Sequence, residues 1–259
     1  MSVVLRQVLA IVTMLLGGSV IIAADVMAAD SGLEKLPFVK KMQLAKAGDP
    51  DAKMAVAEAL ENGVDTKPDA GKAARWYREA ALTGNYEAQF RLAKLVDKGA
   101  PGLKADRATA VKLLQSAAKH GHAASENLLG QMLQNGDGMP KDEKAAVEWY
   151  RKASDQKLPV AQNNLGVMML KGLGVDRNLD EAFKLFELAA EGGDGWAMNN
   201  LGGMFEMGWG TQKDLEKAKT FYQKASEKGI EISAKNLLRL ANITSAPAPA
   251  STTAAPPKP

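Results

Sequence analysis

The chain repeats itself about every 36 residues over most of its length. Small residues recur at intervals of 36, 37, 36, 36 and 36 positions, and we call them the anchors: Ala52, Ala88, Ser125, Ala161, Ala197 and Ser233. A fixed period of this size is typical of solenoids, in which each unit buries its apolar face against its neighbours. The sequence therefore predicts five complete units and a sixth, truncated one.

The first half of each unit has the pattern of a helix, which we call helix A. Four positions after each anchor lies an apolar residue, and in five units a small residue follows it: Ala57, Ala93, Gly130, Gly166 and Gly202. An apolar and a small residue on one face let a neighbouring helix approach closely. Eleven positions after each complete anchor comes a glycine: Gly63, Gly99, Gly136, Gly172 and Gly208. Because glycine adopts the left-handed conformation that ends helices, helix A is predicted to stop there.

The second half of each unit predicts a helix B. A short polar residue that can cap a helix N-terminus follows each loop: Asp69, Asp106, Asp142, Asn178 and Asp214. Alanines then alternate with bulky pairs such as Trp149 and Tyr150, a pattern that packs one hairpin against the next. A turn closes each unit, through glycine at Gly84, Gly121, Gly193 and Gly229 and through Lys157 at the remaining turn. With aromatics at only 5%, the chain is predicted to be all-α.

Two successive units resemble Sel1-like repeats, which are relatives of the tetratricopeptide repeat. They are SENLLGQMLQNGDGMPKDEKAAVEWYRKASDQKLPVA and AQNNLGVMMLKGLGVDRNLDEAFKLFELAAEGGDGWA. The resemblance covers nearly all of residues 44–240, and it implies a right-handed superhelix of antiparallel hairpins with a concave face lined largely by the A helices. The chain departs from the family pattern at the loop of the first unit, which lacks paired glycines, at an extra residue near Ala100, and at Lys157.

The two ends of the chain lack the repeat. Arg6 precedes an uncharged run over residues 7–24 and a small-residue stretch at 26–29, which is the pattern of a secretory signal cleaved after Ala28 or Ala29. The alternative is an uncleaved membrane anchor. The predicted segments are a signal peptide (1–29), a linker with an N-terminal capping helix (30–48), the repeat solenoid (49–243) and a disordered tail rich in proline and alanine (244–259).

Composition and motifs limit the classes of function. A net charge of +3 makes nucleic acid an unexpected partner, and the absence of cysteine excludes a lipidated N-terminal cysteine and disulfides. His120 and His122 lie at a turn where solvated side chains are expected, and no metal, cofactor or catalytic group is predicted. The main hypothesis is a periplasmic or secreted scaffold that binds another protein or peptide and is not an enzyme. The alternatives are a cell-wall or β-lactam-related hydrolase, which the missing cysteines disfavour, and a membrane-anchored spacer.

Candidate binding residues follow from the repeat register. By analogy with tetratricopeptide repeats, positions two, six and nine or ten after each anchor face the groove. In the middle units these are Asn127, Gln131 and Gln134, then Asn163, Val167 and Lys171, then Asn199, Gly203 and Glu206. The recurring asparagines either pair with the backbone of an extended peptide or bond neighbouring loops of the scaffold. Two tryptophans differ from the core aromatics: Trp196, just before an anchor, and Trp209, in the loop after Gly208. Each either anchors an interface or packs between repeats. The predicted partner-binding set is Asn127, Gln131, Asn163, Lys171, Trp196, Asn199 and Trp209.

Overall fold

A computed structural model describes residues 32–245 of the chain, and their side chains as far as Asn242. This range holds twelve α-helices and no strand, so the all-α prediction is confirmed. After a short 3-10 helix (Leu33–Lys35) come α1 Phe38–Lys46, α2 Pro50–Asn62, α3 Ala70–Ala81, α4 Tyr86–Lys98, α5 Arg107–Lys119, α6 Ala123–Asn135, α7 Glu143–Asp155, α8 Pro159–Lys171, α9 Leu179–Glu191, α10 Gly195–Met207, α11 Leu215–Glu227 and α12 Glu231–Ser245. None of these helices is both long and apolar enough to cross a membrane. The predicted signal peptide and all but the first two residues of the predicted tail lie outside the described residues.

The helices follow the predicted alternation. Helices α2, α4, α6, α8, α10 and α12 are A helices, and α3, α5, α7, α9 and α11 are B helices. The chain divides into two compact units, of which the first ends at Ala110 inside α5 and the second begins at Val111. In the second compact unit, one apolar cluster runs through α7, α8, α9 and α10 without a break. A core that continues from hairpin to hairpin is the arrangement expected of stacked repeats.

Glycine in the A helices makes room for an aromatic ring of the same hairpin. A Cβ atom at these glycines would lie 2.8 Å from the ring of Tyr150 for Gly130, 2.8 Å from that of Phe186 for Gly166, and 2.6 Å from that of Tyr222 for Gly202. Real Cβ atoms essentially never approach another atom so closely. These three glycines therefore permit close helix approach, as predicted, because the B-helix aromatic ring lies directly against the A-helix backbone.

The predicted caps of the B helices are confirmed. Each of the five side chains accepts a hydrogen bond from the backbone N–H three residues later, at 2.9 to 3.1 Å: Asp69, Asp106, Asp142, Asn178 and Asp214. Four A helices carry caps of their own, three positions before the anchor: Asp49, Asn85, His122 and Asp194. Helix α8 begins instead after Leu158, whose side chain caps nothing.

Removing a B-helix cap should destabilise the protein measurably. We expect Asp142→Ala and Asp214→Ala each to lower the free energy of unfolding by about 0.5 to 2 kcal/mol, because a backbone N–H of the first turn loses its acceptor. Urea unfolding followed by circular dichroism measures this loss. Glu148→Ala, at an exposed position inside α7, is the control and should change little. Unchanged stability in both cap variants would contradict the structural role of the caps.

The departures from the family pattern are absorbed in the loops. The extra residue of the second unit lies in a tight turn at Pro101 and Gly102, around which Ala100 and Leu103 exchange backbone hydrogen bonds of 2.9 and 2.8 Å. In the first unit, Asp65 takes a positive φ of 55° in place of a loop glycine. Both solutions keep the hairpin and change only its connection.

Lys157 adopts the left-handed conformation that glycine has at the other turns between hairpins, with φ at 63°. This conformation costs an L-residue roughly 1 to 2 kcal/mol. We therefore expect Lys157→Gly to raise the free energy of unfolding by about 1 kcal/mol, since the flexibility of glycine in the unfolded chain offsets part of the gain.

The reverse change at another turn is the matched comparison. Gly121 has φ at 79°, and an added Cβ would meet nothing within 4 Å, so Gly121→Ala changes backbone strain alone. It should lower stability by about 1 kcal/mol. A melting temperature that falls in both variants would show that the Lys157 side chain makes a stabilising contact larger than its backbone strain.

Candidate partner-binding surface

The recurring asparagines form hydrogen-bonded pairs between successive A helices of the second compact unit, which begins at Val111. In each pair an amide nitrogen donates to the amide oxygen of an asparagine 37 positions earlier. The pairs are Asn164 with Asn127 (2.9 Å), Asn200 with Asn163 (2.9 Å) and Asn236 with Asn199 (3.2 Å). We call these six residues the amide ladder. It ties α6, α8, α10 and α12 together along one face.

The ladder is partly buried. Asn127 and Asn163 are each only 7% exposed, and Asn199 also accepts a hydrogen bond of 2.9 Å from the hydroxyl of Ser233. The asparagines thus form hydrogen bonds within the scaffold. Their partners lie on the next A helix and not on a loop. Their predicted role in binding a partner stays a prediction.

Each pair leaves most of its hydrogen-bonding capacity unused. An asparagine amide offers two N–H donors and an oxygen with two lone pairs, and the bond within a pair uses one N–H and one lone pair. Among the described residues, Nδ2 of Asn163 and Oδ1 of Asn200 have no protein partner. Neither belongs to the buried polar atoms without a partner, so solvent reaches them. The ladder therefore presents free donors and free acceptors side by side.

A second set of hydrogen bonds joins the two helices of one hairpin. The hydroxyl of a buried B-helix tyrosine donates to the side chain nine positions after the anchor: Tyr77 to Glu61 (2.6 Å), Tyr150 to Gln134 (2.7 Å) and Tyr222 to Glu206 (2.9 Å). Burial raises the pKa of all three tyrosines, which stay protonated donors. In the fourth hairpin, Phe186 and Leu170 replace both partners, so polarity is lost at the two positions together.

A pocket of about 390 Å³ lies where α8, α10 and α12 meet, at the end of the ladder. Its lining residues include Leu170, Asn199, Gly203, Met207, Trp209 and Arg239. Two apolar side chains remain accessible at its edge, with Met207 56% and Trp209 37% exposed. The pocket thus has an apolar wall beside the amides of the ladder.

The charges at this pocket are paired. The guanidinium of Arg239 donates two hydrogen bonds, of 2.5 and 2.6 Å, to the two carboxylate oxygens of Glu206. This hydrogen bonding lowers the pKa of Glu206, which also accepts from Tyr222. The carboxylate and the guanidinium therefore neutralise each other, and the pocket carries no net charge from them.

The structure brings only part of the predicted set together. Asn199 and Trp209 line the pocket, and the guanidinium carbon of Arg177 lies 5.7 Å from the centre of the Trp209 ring. Lys171 is exposed at the end of α8, and the pocket contact of that helix is its neighbour Leu170. Trp196, 55% exposed in the first turn of α10, does not line the pocket.

Gln131 is half-buried in α6, and it does not line the pocket either. The pocket also contains Gly203, which the register predicted to face the groove, and Met207, which the sequence did not single out. The signal of Met207 in the sequence is weak, because a methionine in an A helix looks the same whether it faces a core or a cavity.

The histidines have local roles. Nδ1 of His120 lies 2.8 Å from the carbonyl oxygen of Ser116, and the ring of His122 caps α6. Within the described part of the chain, no group of three or more His, Cys, Asp or Glu residues is placed to hold a metal ion.

The repeats match a known family over most of the chain. The sequence pattern of the Sel1 repeat fits residues 50–85, 87–122, 123–158, 159–194 and 197–230. The chain belongs to the Sel1 repeat family. Sel1 repeat proteins generally act as scaffolds for protein–protein interaction.

Solved structures with the Sel1 fold superpose on this chain. A Sel1 repeat protein from Oxalobacter formigenes is 26% identical, with a TM-score of 0.71 over 80% of this chain and 89% of that one. A protective antigen of uropathogenic Escherichia coli is 30% identical, with a TM-score of 0.70 over 80% of this chain. Only 44% of the E. coli protein is covered, so this chain spans less than half of it.

An immunity protein from Pseudomonas aeruginosa, 23% identical with a TM-score of 0.51 over 72% of this chain and 69% of that one, shares the fold alone. No curated protein matches the sequence.

Proposed function

We propose that this Sel1 repeat protein is a non-enzymatic scaffold of the bacterial cell envelope that binds an extended segment of a partner protein. The segment would lie along the face formed by the A helices of the second compact unit. The family resemblance puts this face on the concave side. The observation that carries the proposal is the amide ladder, whose pairs leave free donors and acceptors at the surface. An extended backbone offers matching carbonyl and N–H groups.

In this proposal the amides of the ladder have two roles, one within the scaffold and one in binding the partner. The bond from Asn200 to Asn163 fixes the orientation of each amide and joins two A helices. The second polar atom of each amide is then held in place before any partner arrives. Side chains that are ordered in advance lose little conformational entropy on binding, which favours affinity.

Export is the other half of the proposal. It rests on the signal pattern at residues 1–29 and names the periplasm as the main compartment, with secretion as the alternative. Contact with a membrane would follow only if that segment were retained. The intact mass of the protein recovered from fractionated cells tests this: we expect the loss of the first 28 or 29 residues. A full-length mass in the membrane fraction would support the anchored spacer instead.

Site-specific photo-crosslinking tests the binding face. A photoreactive residue in place of Lys171, at the end of an A helix, should yield a crosslinked adduct in native cells. The same residue in place of Glu148, exposed on a B helix, is the control and should yield none. Mass spectrometry of the adduct identifies the partner protein. Adducts from the B-helix position alone would contradict the proposed face.

Asn163→Asp then tests the ladder itself on that partner. The aspartate keeps an oxygen for the amide of Asn200 but loses the free donor. We expect binding to weaken by up to about tenfold, the value of one hydrogen bond of roughly 1.4 kcal/mol. Gln115→Glu makes the same change from amide to carboxylate at an exposed position of α5 and should bind like the parent. Equal affinities of all three proteins would refute the role of the ladder.

A further inference from the structure

We infer that the pocket beside Trp209 receives one large apolar side chain of the bound segment, and that the segment is uncharged around it. This inference rests on the proposed function, because it states what the extended segment carries. The pocket adjoins the last rungs of the ladder, since Asn199 and Asn200 both line it. A backbone held by these amides would therefore bring a side chain over the opening.

The room in the pocket comes from a glycine that the fold does not need. Gly203 lies six positions after its anchor, where the two preceding A helices have Gln131 and Val167. A Cβ atom at Gly203 would meet only the hydroxyl of Tyr222, at 3.6 Å, which is ordinary van der Waals contact. Its neighbour Gly202, by contrast, has the Tyr222 ring against it. Glycine inside a helix is unfavourable, so its presence at 203 is explained by the open space it leaves.

The wall of the pocket has the chemistry of an interface. Met207 and Trp209 expose 56% and 37% of their surface, and Leu170 extends the apolar wall from α8. Methionine and tryptophan are enriched in the centres of protein interfaces, where methionine adapts to irregular shapes. The volume of about 390 Å³ lies within the range of small-ligand sites and accommodates an aromatic or a large aliphatic side chain.

The electrostatics select against a charged occupant. Glu206 and Arg239 are hydrogen-bonded to each other, and the guanidinium of Arg177 lies against the Trp209 ring and donates to the backbone carbonyl of Leu170, so these charged groups already have partners. Most groove positions of the two preceding A helices are uncharged as well, with Lys171 at the exposed end of α8 as the exception: Asn127, Gln131, Gln134, Asn163, Val167 and Leu170. Burying a charged side chain without a partner is costly, whereas an apolar one gains by leaving water.

Selection from random nine-residue peptides displayed on phage tests the inference on the full chain. The enriched peptides should share one Leu, Met, Phe, Tyr or Trp residue with uncharged neighbours. A synthetic copy of the most enriched peptide is then the probe for titrations. A charged consensus, or the absence of a shared large apolar residue, would overturn the inference.

Gly203→Leu fills the pocket without crowding the backbone and should weaken binding of that synthetic peptide at least tenfold. Gln115→Leu adds a leucine to an exposed position of a B helix and should leave the affinity unchanged. Circular dichroism and thermal melts check that both variants keep the parent fold. If the peptide binds Gly203→Leu as tightly as the parent but loses affinity for Asn163→Asp, the pocket is refuted and the proposed function stands. If neither variant affects binding, or no peptide is selected, the proposed function fails with it.

Discussion

Phe186→Ala should lower the free energy of unfolding by about 3 to 5 kcal/mol, the range measured for aromatic truncation in protein cores. The ring is fully buried in the cluster that runs from α7 to α10, and it rests directly on the backbone at Gly166. Gly166 has no side chain that could fill the cavity. The members of this cluster on α7 and α10 belong to the preceding and following hairpins. They cannot close the gap without disturbing their own contacts.

Leu188→Ala is the matched control, because it truncates a large apolar side chain on the same helix at a position that is 50% exposed. We expect a change within about 0.5 kcal/mol. Urea unfolding followed by far-ultraviolet circular dichroism measures both variants. Comparable losses in the two variants would show that α9 is sensitive to any truncation. The contact between the Phe186 ring and Gly166 would then have no special importance for stability.

The local features of the fold could be predicted because they depend on short-range chemistry. A carboxylate such as Asp142 caps the helix that follows it, and a glycine such as Gly172 ends the helix before it. A repeat multiplies these signals, so that each unit supports the assignment of the others. The caps at Asp49 and Asp194 were missed, although their constant place three positions before an anchor could have revealed them.

The candidate site was less predictable because it depends on distances between helices. The repeat spacing aligned the asparagines, but it could not tell whether their amides reach a loop, a ligand or the next helix. The bond from Asn200 to Asn163 exists because successive A helices lie close enough for two side chains to meet. Likewise, the register predicted that Gly202 allows close helix approach and that Gly203 faces the groove, but it could not show that Gly203 opens a pocket.

The boundary between the two compact units, at Ala110, falls inside α5. No change in composition or in repeat pattern marks this boundary, because the repeat anchored at Ala88 continues through it.

Asn163→Ala should lower the free energy of unfolding by about 1 to 3 kcal/mol, because it leaves the amide nitrogen of Asn200 without its acceptor. Asn163 is only 7% exposed and Asn200 is half-buried, so water replaces the lost bond only in part. Asn200→Ala should cost a similar amount for the reciprocal reason. If the two amides act as one unit, the double variant should lose less than the sum of the single losses, by about 0.5 to 3 kcal/mol.

Thermal and urea unfolding of the two single variants and the double variant provide the measurement, with Asn62→Ala at an exposed helix end as the control. A titration with the selected peptide on the same proteins separates the structural role from the binding role. The Asn163 variant should lose both stability and affinity, because one amide supplies both bonds. Unchanged stability together with weakened binding would show that the hydrogen bond to Asn200 contributes nothing to the fold. Reduced stability with full affinity would show the opposite: the ladder holds the helices together, and the partner is recognised elsewhere on the A-helix face.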